Sequence, residues 1–251
     1  MRYGVLSDVH GNAAALRAAV GHLRSLGVDG WLCAGDVVGY GPQPNECVDL
    51  LSDLGAGCVA GNHEQLVLGG LPLDRAGRLA RETTGWTRAA LRDDARAWLA
   101  ALPATLRLPG LVMAHGCLRD PTTYVTTEAR AVEELCGLRA LDPRAGVLVL
   151  GHTHRPWRYQ PWPGGPVLLN PGSVGQSRQR ERVPLARFAL LDLDRRSVRF
   201  FAEPYDVAAV REALRRNGLP RACIHVPPGR LRAVPRRAGT LVRYARRGKL
   251  P

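Results

Sequence analysis

The sequence predicts an α/β fold. Short apolar, β-rich runs alternate with helical patterns along most of the 251 residues. A late pair of longer strands reads as a hairpin, which adds antiparallel pairing to an otherwise parallel order. The strand-like runs also tend to stop on clusters of Asp, Asn or His.

Tyr3–Leu6 is the first strand and ends on Ser7-Asp8-Val9-His10. Gly11-Asn12 opens a helical pattern, with Asn12 suited to the N-cap. Leu16, Val20 and Leu23 recur at helical spacing up to Gly27. Trp31–Ala34 is a second strand, closing on Gly35-Asp36, and Gly39-Tyr40-Gly41-Pro42 is loop chemistry. Asn45 is expected to cap a helix through about Leu54, and Cys58–Ala60 to form a strand ending on Gly61-Asn62-His63-Glu64. Residues 74–101 read as largely helical, with Leu79, Trp86, Ala90 and Leu91 on the apolar side. Strands follow at Leu111–Ala114, ending on His115-Gly116, and at Val147–Leu150, ending on Gly151-His152-Thr153-His154; the helix Glu128–Leu138 lies between them. Val167–Leu169 runs into Asn170-Pro171-Gly172-Ser173. Ala186–Leu193 and Ser197–Glu203 flank Asp194-Arg195-Arg196 as the hairpin, before a helix near Val207–Arg216.

Composition sets the outer limits. With 45% hydrophobic and 23% charged residues the chain is ordinary globular material, not a disordered one. No apolar run approaches the ~20 residues of a membrane helix. The start shows no charged head, apolar stretch and cleavage site, so no signal peptide is expected and the expected location is cytoplasmic. The six cysteines form no C-x-x-C pair and read as reduced, mostly buried thiols. Net charge is +13, unevenly spread: residues 221–251 hold nine basic residues and no acid. The chain is therefore expected to divide into a domain over 1–220 and a basic, Arg-rich extension over 221–251. Such a block offers a contact for a nucleotide, nucleic acid or another anionic surface; its alternative is a simple solvated tail.

Five strands would deliver metal-capable side chains to one edge, where α/β sheets bind their ligands. Asp8, His10, Asp36, Asn62, His63, His115, His152 and His154 all lie in these clusters. They are too many for one tetrahedral zinc. They fit two adjacent metals that share a carboxylate. Mixed N/O donors without cysteine suit Mn²⁺, Fe, Zn²⁺, Co²⁺ or Ni²⁺ better than Ca²⁺. Two such ions ~3.5–4 Å apart are a known arrangement for in-line displacement at phosphorus.

Taken in order, Asp8-Val9-His10, Gly35-Asp36, Gly61-Asn62-His63-Glu64, His115-Gly116 and Gly151-His152-Thr153-His154 resemble the motif set of the calcineurin-like metallophosphoesterase superfamily. The stretches Gly39-Tyr40-Gly41-Pro42 and Asn170-Pro171-Gly172-Ser173-Val174-Gly175 look like its small bacterial and archaeal YfcE-related phosphodiesterase branch. The resemblance covers about residues 1–205. It implies a four-layer α/β/β/α sandwich with two mixed sheets. It also implies that Asp8, His10 and His154 hold one metal and Asn62, His115 and His152 the other, with Asp36 bridging. His63 would act as general acid rather than ligand. Two divalent ions are expected, Mn²⁺ first. The implied activity is hydrolysis of phosphodiesters by a metal-bridging hydroxide. A phosphomonoesterase or phosphoprotein phosphatase is the alternative, and a non-catalytic metal- or nucleic-acid-binding module the second. Oligomeric state is not indicated.

Further candidates carry weaker signals. Asn12 and Tyr40 are placed as substrate contacts, though Asn12 has a capping role and Tyr40 can serve as a loop anchor. Arg178, with Arg180 and Arg182, can meet a second phosphate or line a solvated loop. Gly172 and Ser173 are expected to shape a turn. Trp157 is expected to pack rather than stack a base, and Trp31, Trp86 and Trp98 to lie in the core.

Overall fold

The computed structural model describes residues 1–228. It contains two five-stranded sheets. The first has the order β10-β9-β1-β2-β3, built from β1 (Arg2–Leu6), β2 (Gly30–Cys33), β3 (Gly57–Cys58), β9 (Ala186–Asp192) and β10 (Ser197–Glu203). Strands β1, β2 and β3 run parallel, while β9 and β10 add the expected antiparallel hairpin. The second has the order β4-β5-β6-β8-β7, from β4 (Thr105–Leu108), β5 (Leu111–Ala114), β6 (Val147–Val149), β7 (Trp157–Tyr159) and β8 (Val167–Asn170). Both sheets are mixed.

Side-chain alternation along the strands assembles the layers. Val5, Leu32, Leu111, Met113, Val147 and Val149 point between the sheets and form one core. Leu6, Cys33 and Phe188 point outward onto α1 (Ala13–Ser25), α2 (Pro44–Asp53) and α5 (Asp93–Ala100). On the opposite side Val112, Ala114 and Leu148 pack on Ala131, Leu135 and Leu138 of α6 (Glu128–Leu141). The result is the four-layer α/β/β/α sandwich. A fourth apolar cluster joins Tyr40, Leu66, Leu71 and Ala80 to α7 (Val207–Arg216) and to Cys223 and Ile224.

Several boundaries differ from expectation for identifiable reasons. Asn12 does cap α1, accepting from Ala15 N at 3.1 Å. Asn45 does not cap α2. That helix starts at Pro44, which has no N–H to satisfy. Asn45 instead donates to Ala90 O at 2.8 Å and accepts from Arg92 N at 3.0 Å. Those bonds sit where the expected long helix of 74–101 breaks into α4 (Arg78–Ala90) and α5, with Leu91 extended between them. The Gly61-Asn62-His63-Glu64 cluster opens a helix, α3 (Asn62–Leu68), that ends at left-handed Gly69. Strands β4 and β7 are sheet edges that the sequence pattern did not reveal. Trp157 sits in β7, half-buried beside Tyr159; Trp31, Trp86 and Trp98 are half-buried against the apolar clusters.

All six cysteines are free, five of them buried. No helix among the described residues is long and apolar enough to cross a membrane. The packed chain runs past residue 220: Ser177 N donates to Ile224 O at 3.1 Å and Val226 N to Ser177 O at 2.9 Å. The extension's remaining basic residues, from Arg230 to Lys249, lie outside the described residues.

Candidate metal centre and substrate cavity

The five polar clusters meet at one edge of the sandwich, where β1, β2, β5 and β6 end and α3 begins. The backbone there is unusual. Asp8, His10, Asp36, Tyr40, His152 and His154 all have φ between 49° and 63°. Left-handed conformations of this kind cost energy for non-glycine residues and gather at functional sites. Close packing of the loops explains the glycine at 61: a Cβ there would run into Asp36 Oδ1.

Hydrogen bonds fix the imidazoles in one orientation. Nδ1 of His10 faces Val38 O at 3.3 Å, Nδ1 of His154 faces Gln176 O at 2.8 Å, and Nδ1 of His115 faces Ala34 O at 2.6 Å. A carbonyl only accepts, so each Nδ1 carries a hydrogen and each Nε2 is the nitrogen turned to the site, able to offer a lone pair once it is deprotonated. His152 is reversed, with Nε2 facing Thr122 O at 3.1 Å. The carboxylates are held too. Asp8 Oδ2 accepts from Ser7 Oγ at 2.6 Å and from His152 N at 3.1 Å; Asp36 Oδ1 accepts from His63 N at 2.9 Å.

The remaining oxygens and nitrogens converge. Asp8 Oδ1 lies 3.2 Å from His154 Nε2 and 3.9 Å from His10 Nε2. Asp36 Oδ2 lies 3.1 Å from His115 Nε2 and 3.8 Å from His10 Nε2. Asn62 Oδ1 is 3.1 Å from His115 Nε2. Asp8, His10 and His154 form one group able to hold a cation, and Asp36, His115 and His152 another. Asp36, His10 and His63 form a third between them.

These donors fit divalent metals. His10 Nε2 and His154 Nε2 face each other at 3.2 Å, an arrangement of two lone pairs that calls for a cation. Asp8 Oδ1 is buried and accepts no hydrogen bond among the described residues. Burial by itself would raise both carboxyl pKa values; the surrounding imidazoles, led by His154 at Asp8 and His115 at Asp36, reverse this and hold both below the ordinary range. Burial pushes His10 and His63 down, and pushes His152 down to about 4. At His115 burial is outweighed by Asp36, which lifts it to about 10. Ionised Asp8 and Asp36 beside neutral His10 and His152 are the ligating forms of these groups, and His115 would release its proton on binding a metal.

A cavity of about 350 Å³ opens on this cluster, within the range of small-molecule sites. Asp36, Asn62, His63, His152 and His154 form its floor; Leu66, Leu71 and Ala80 give an apolar wall. Tyr40 also lines it, its ring 4.5 Å from that of His10 and 4.4 Å from that of His63. Arg178 lines it as well. Asn12 does not: it is fully buried, its Oδ1 caps α1 and its Nδ2 donates to Gly175 O at 3.0 Å. The helix cap and the neighbouring loop occupy both ends of that amide, so the expected substrate contact is corrected to a structural one. Ser173 shapes the adjoining turn, donating to Asp8 O at 2.8 Å and accepting from Gln176 N at 2.9 Å. Arg75, Thr122 and Tyr124 line the cavity without a sequence signal. Tyr124 stacks on His152 with ring centres 4.0 Å apart; it lies in a loop whose turn chemistry, around Asp120-Pro121, says nothing of the metal centre.

Comparison with known proteins shows the family and the fold. A crystal structure of a metallophosphoesterase from Sphaerobacter thermophilus is 32% identical, with a TM-score of 0.73, covering 89% of this chain and 96% of that one. A hypothetical protein from Pyrococcus horikoshii shares the fold with a TM-score of 0.78 at 21% identity, over 89% of this chain and 96% of that one. An uncharacterized protein of Methanocaldococcus jannaschii is 28% identical over 233 residues, 86% of this chain and 93% of that protein. Residues 1–196 match the calcineurin-like phosphoesterase superfamily domain, and the chain belongs to that superfamily.

Proposed function

We propose that the protein is a phosphoesterase that works with two divalent cations and prefers phosphodiesters. The observation that carries the reading is the position of Asp36, whose Oδ2 reaches both His115 and His10. That carboxylate joins two ligand groups into one centre. Asp8, His10 and His154 would hold one ion and Asn62, His115 and His152 the other, with Mn²⁺ the first expectation. When bound, such a pair supplies Lewis acidity toward phosphoryl oxygens and an acidified water at neutral pH.

The chain's own groups do the rest. His63 sits at the start of α3 with its backbone N–H on Asp36, which fixes its ring beside the centre. Its Nδ1 is buried without a hydrogen-bond partner among the described residues; Nε2 would carry the proton given to the leaving-group oxygen. Tyr40 packs on His63 and His10 and limits water around them. Arg178 brings positive charge to the cavity lining. The apolar wall of Leu66, Leu71 and Ala80 supports the diester preference, because a diester brings a second organic group that needs such a surface. The basic extension would add a nucleotide or nucleic-acid contact through its charge.

The test is hydrolysis of bis-p-nitrophenyl phosphate and p-nitrophenyl phosphate side by side by the Mn²⁺-reconstituted protein, with Asp36→Ala as control. Diester turnover should exceed monoester turnover and vanish in the variant. A monoester preference would overturn the diester part, and no turnover of either ester with two metals bound would overturn the enzymatic reading.

A further inference from the structure

The cavity at the metal centre is not isolated. A second, more open groove of about 200 Å³ shares Tyr40, Gly77, Ala80 and Arg178 with it. Beyond this junction the groove continues along Leu79 and Val226. Val226 belongs to a segment outside the matched family domain, held in place by its N–H on Ser177 O at 2.9 Å.

Arg178 stands at the junction. Its Nε donates to Gln176 Oε1 at 3.2 Å and an amino nitrogen to Tyr124 Oη at 3.3 Å. Both partners are neutral, and no carboxylate lies within ion-pair distance of its guanidinium among the described residues. A half-buried guanidinium without an anion is costly unless a ligand provides one. Its fork geometry suits phosphate oxygens. Because Arg178 lines both cavities, an anion bound to it would lie between the metal centre and the groove.

We propose that Arg178 is a specificity residue for a second phosphate, and that the preferred substrate carries two phosphates in sequence with an organic group reaching into the outer groove. The proposal rests on the phosphoesterase reading above. It places the reacting phosphate over the metal centre, the second at the junction, and the apolar end against Leu79, Ala80 and Val226.

Calorimetric titration of the metal-loaded full chain with methylphosphonate and with methylenebisphosphonate, at fixed free Mn²⁺, tests this without turnover. The bisphosphonate should bind at least about tenfold more tightly, the worth of one hydrogen bond to a charged group. Arg178→Gln should reduce that preference to less than about threefold, and Arg178→Lys, which keeps the charge, should restore part of it. Arg144→Gln, at an exposed residue lining neither cavity, should leave the preference intact. Equal affinities in the unaltered protein would overturn the proposal, as would a preference that survives Arg178→Gln in a protein with an unchanged melting temperature. Turnover of bis-p-nitrophenyl phosphate together with equal affinities would sink this inference alone; absence of all phosphoester turnover would sink the reading beneath it.

Discussion

Glu64 accepts the backbone N–H of Asp36 at 2.8 Å. The same carboxylate accepts Gly61 N at 2.7 Å and Val38 N at 3.1 Å. One fully buried side chain thus ties the loop after β2 to the start of α3, and so fixes Asp36 relative to Asn62 and His63. Replacing it by alanine leaves three buried N–H groups without an acceptor, each worth about 1–3 kcal/mol. Glu64→Ala should destabilise the protein by at least about 3 kcal/mol in urea unfolding, with turnover falling alongside. A loss below about 1 kcal/mol would contradict the role.

Substitution of His63 should separate catalysis from metal binding. His63→Ala should keep its metal content and lose about 10²–10⁴-fold in turnover, the usual contribution of a general acid. Metal analysis of the purified variant checks this. A variant that has lost a metal would make His63 a ligand, as its proximity to Asp36 and His10 also allows.

The C-terminal segment should matter in two distinct ways. Cys223 and Ile224 are buried in the cluster that backs the cavity, and Gln176 Nε2 donates to Ala222 O at 3.2 Å. Gln176 in turn holds His154 through its carbonyl. A chain ending at 220 should therefore lose several kcal/mol of stability, from apolar burial at roughly 1.5–3 kcal/mol per large side chain, together with metal affinity. A chain ending at 228 should keep both. If the basic extension contacts nucleic acid, the shorter 1–228 chain should lose salt-sensitive binding of a single-stranded oligonucleotide that the full chain shows. Equal binding by both chains in a shift assay would remove that role.

Acid should unfold the chelated protein through its buried imidazoles. His152 is depressed to about 4 from an ordinary 6.5. Its neutral form is favoured on folding, so its contribution is present above pH 6.5 and is lost as pH falls from 6.5 through 4. The loss is on the order of 3–4 kcal/mol. His115 has the opposite sign: raised to about 10, it stabilises below pH 6.5 and ceases to do so as pH rises toward 10. Urea midpoints of the chelated protein across pH 4–10 should fall at both ends; His152→Asn should flatten the acid limb, and an unchanged acid limb would contradict the assignment.

Much of the site was legible in the sequence because it is made of strand ends. A strand that stops on Asp8-Val9-His10 or His152-Thr153-His154 carries its metal chemistry locally, and the parallel order of β1 and β2 brings such ends to one edge. What the sequence hid depends on distance. The break between α4 and α5 follows from Asn45, 45 residues before the Ala90 carbonyl it bonds. Tyr124 and Arg178 meet across 54 residues. Glu64 was visible as part of a motif, but its three backbone partners became apparent only once two loops were folded together. Asn12 shows the reverse case: its place near the site suggests a contact and its sequence position a cap, and the fold uses both ends of its amide for the cap and the Gly175 carbonyl.

A two-metal centre bridged by Asp36 has a direct crystallographic signature. Anomalous diffraction from Mn²⁺-loaded crystals should show two peaks about 3.5–4 Å apart, one beside Asp8, His10 and His154, the other beside Asn62, His115 and His152, with Asp36 touching both. A single fully occupied ion, or two ions that do not share Asp36, would contradict it.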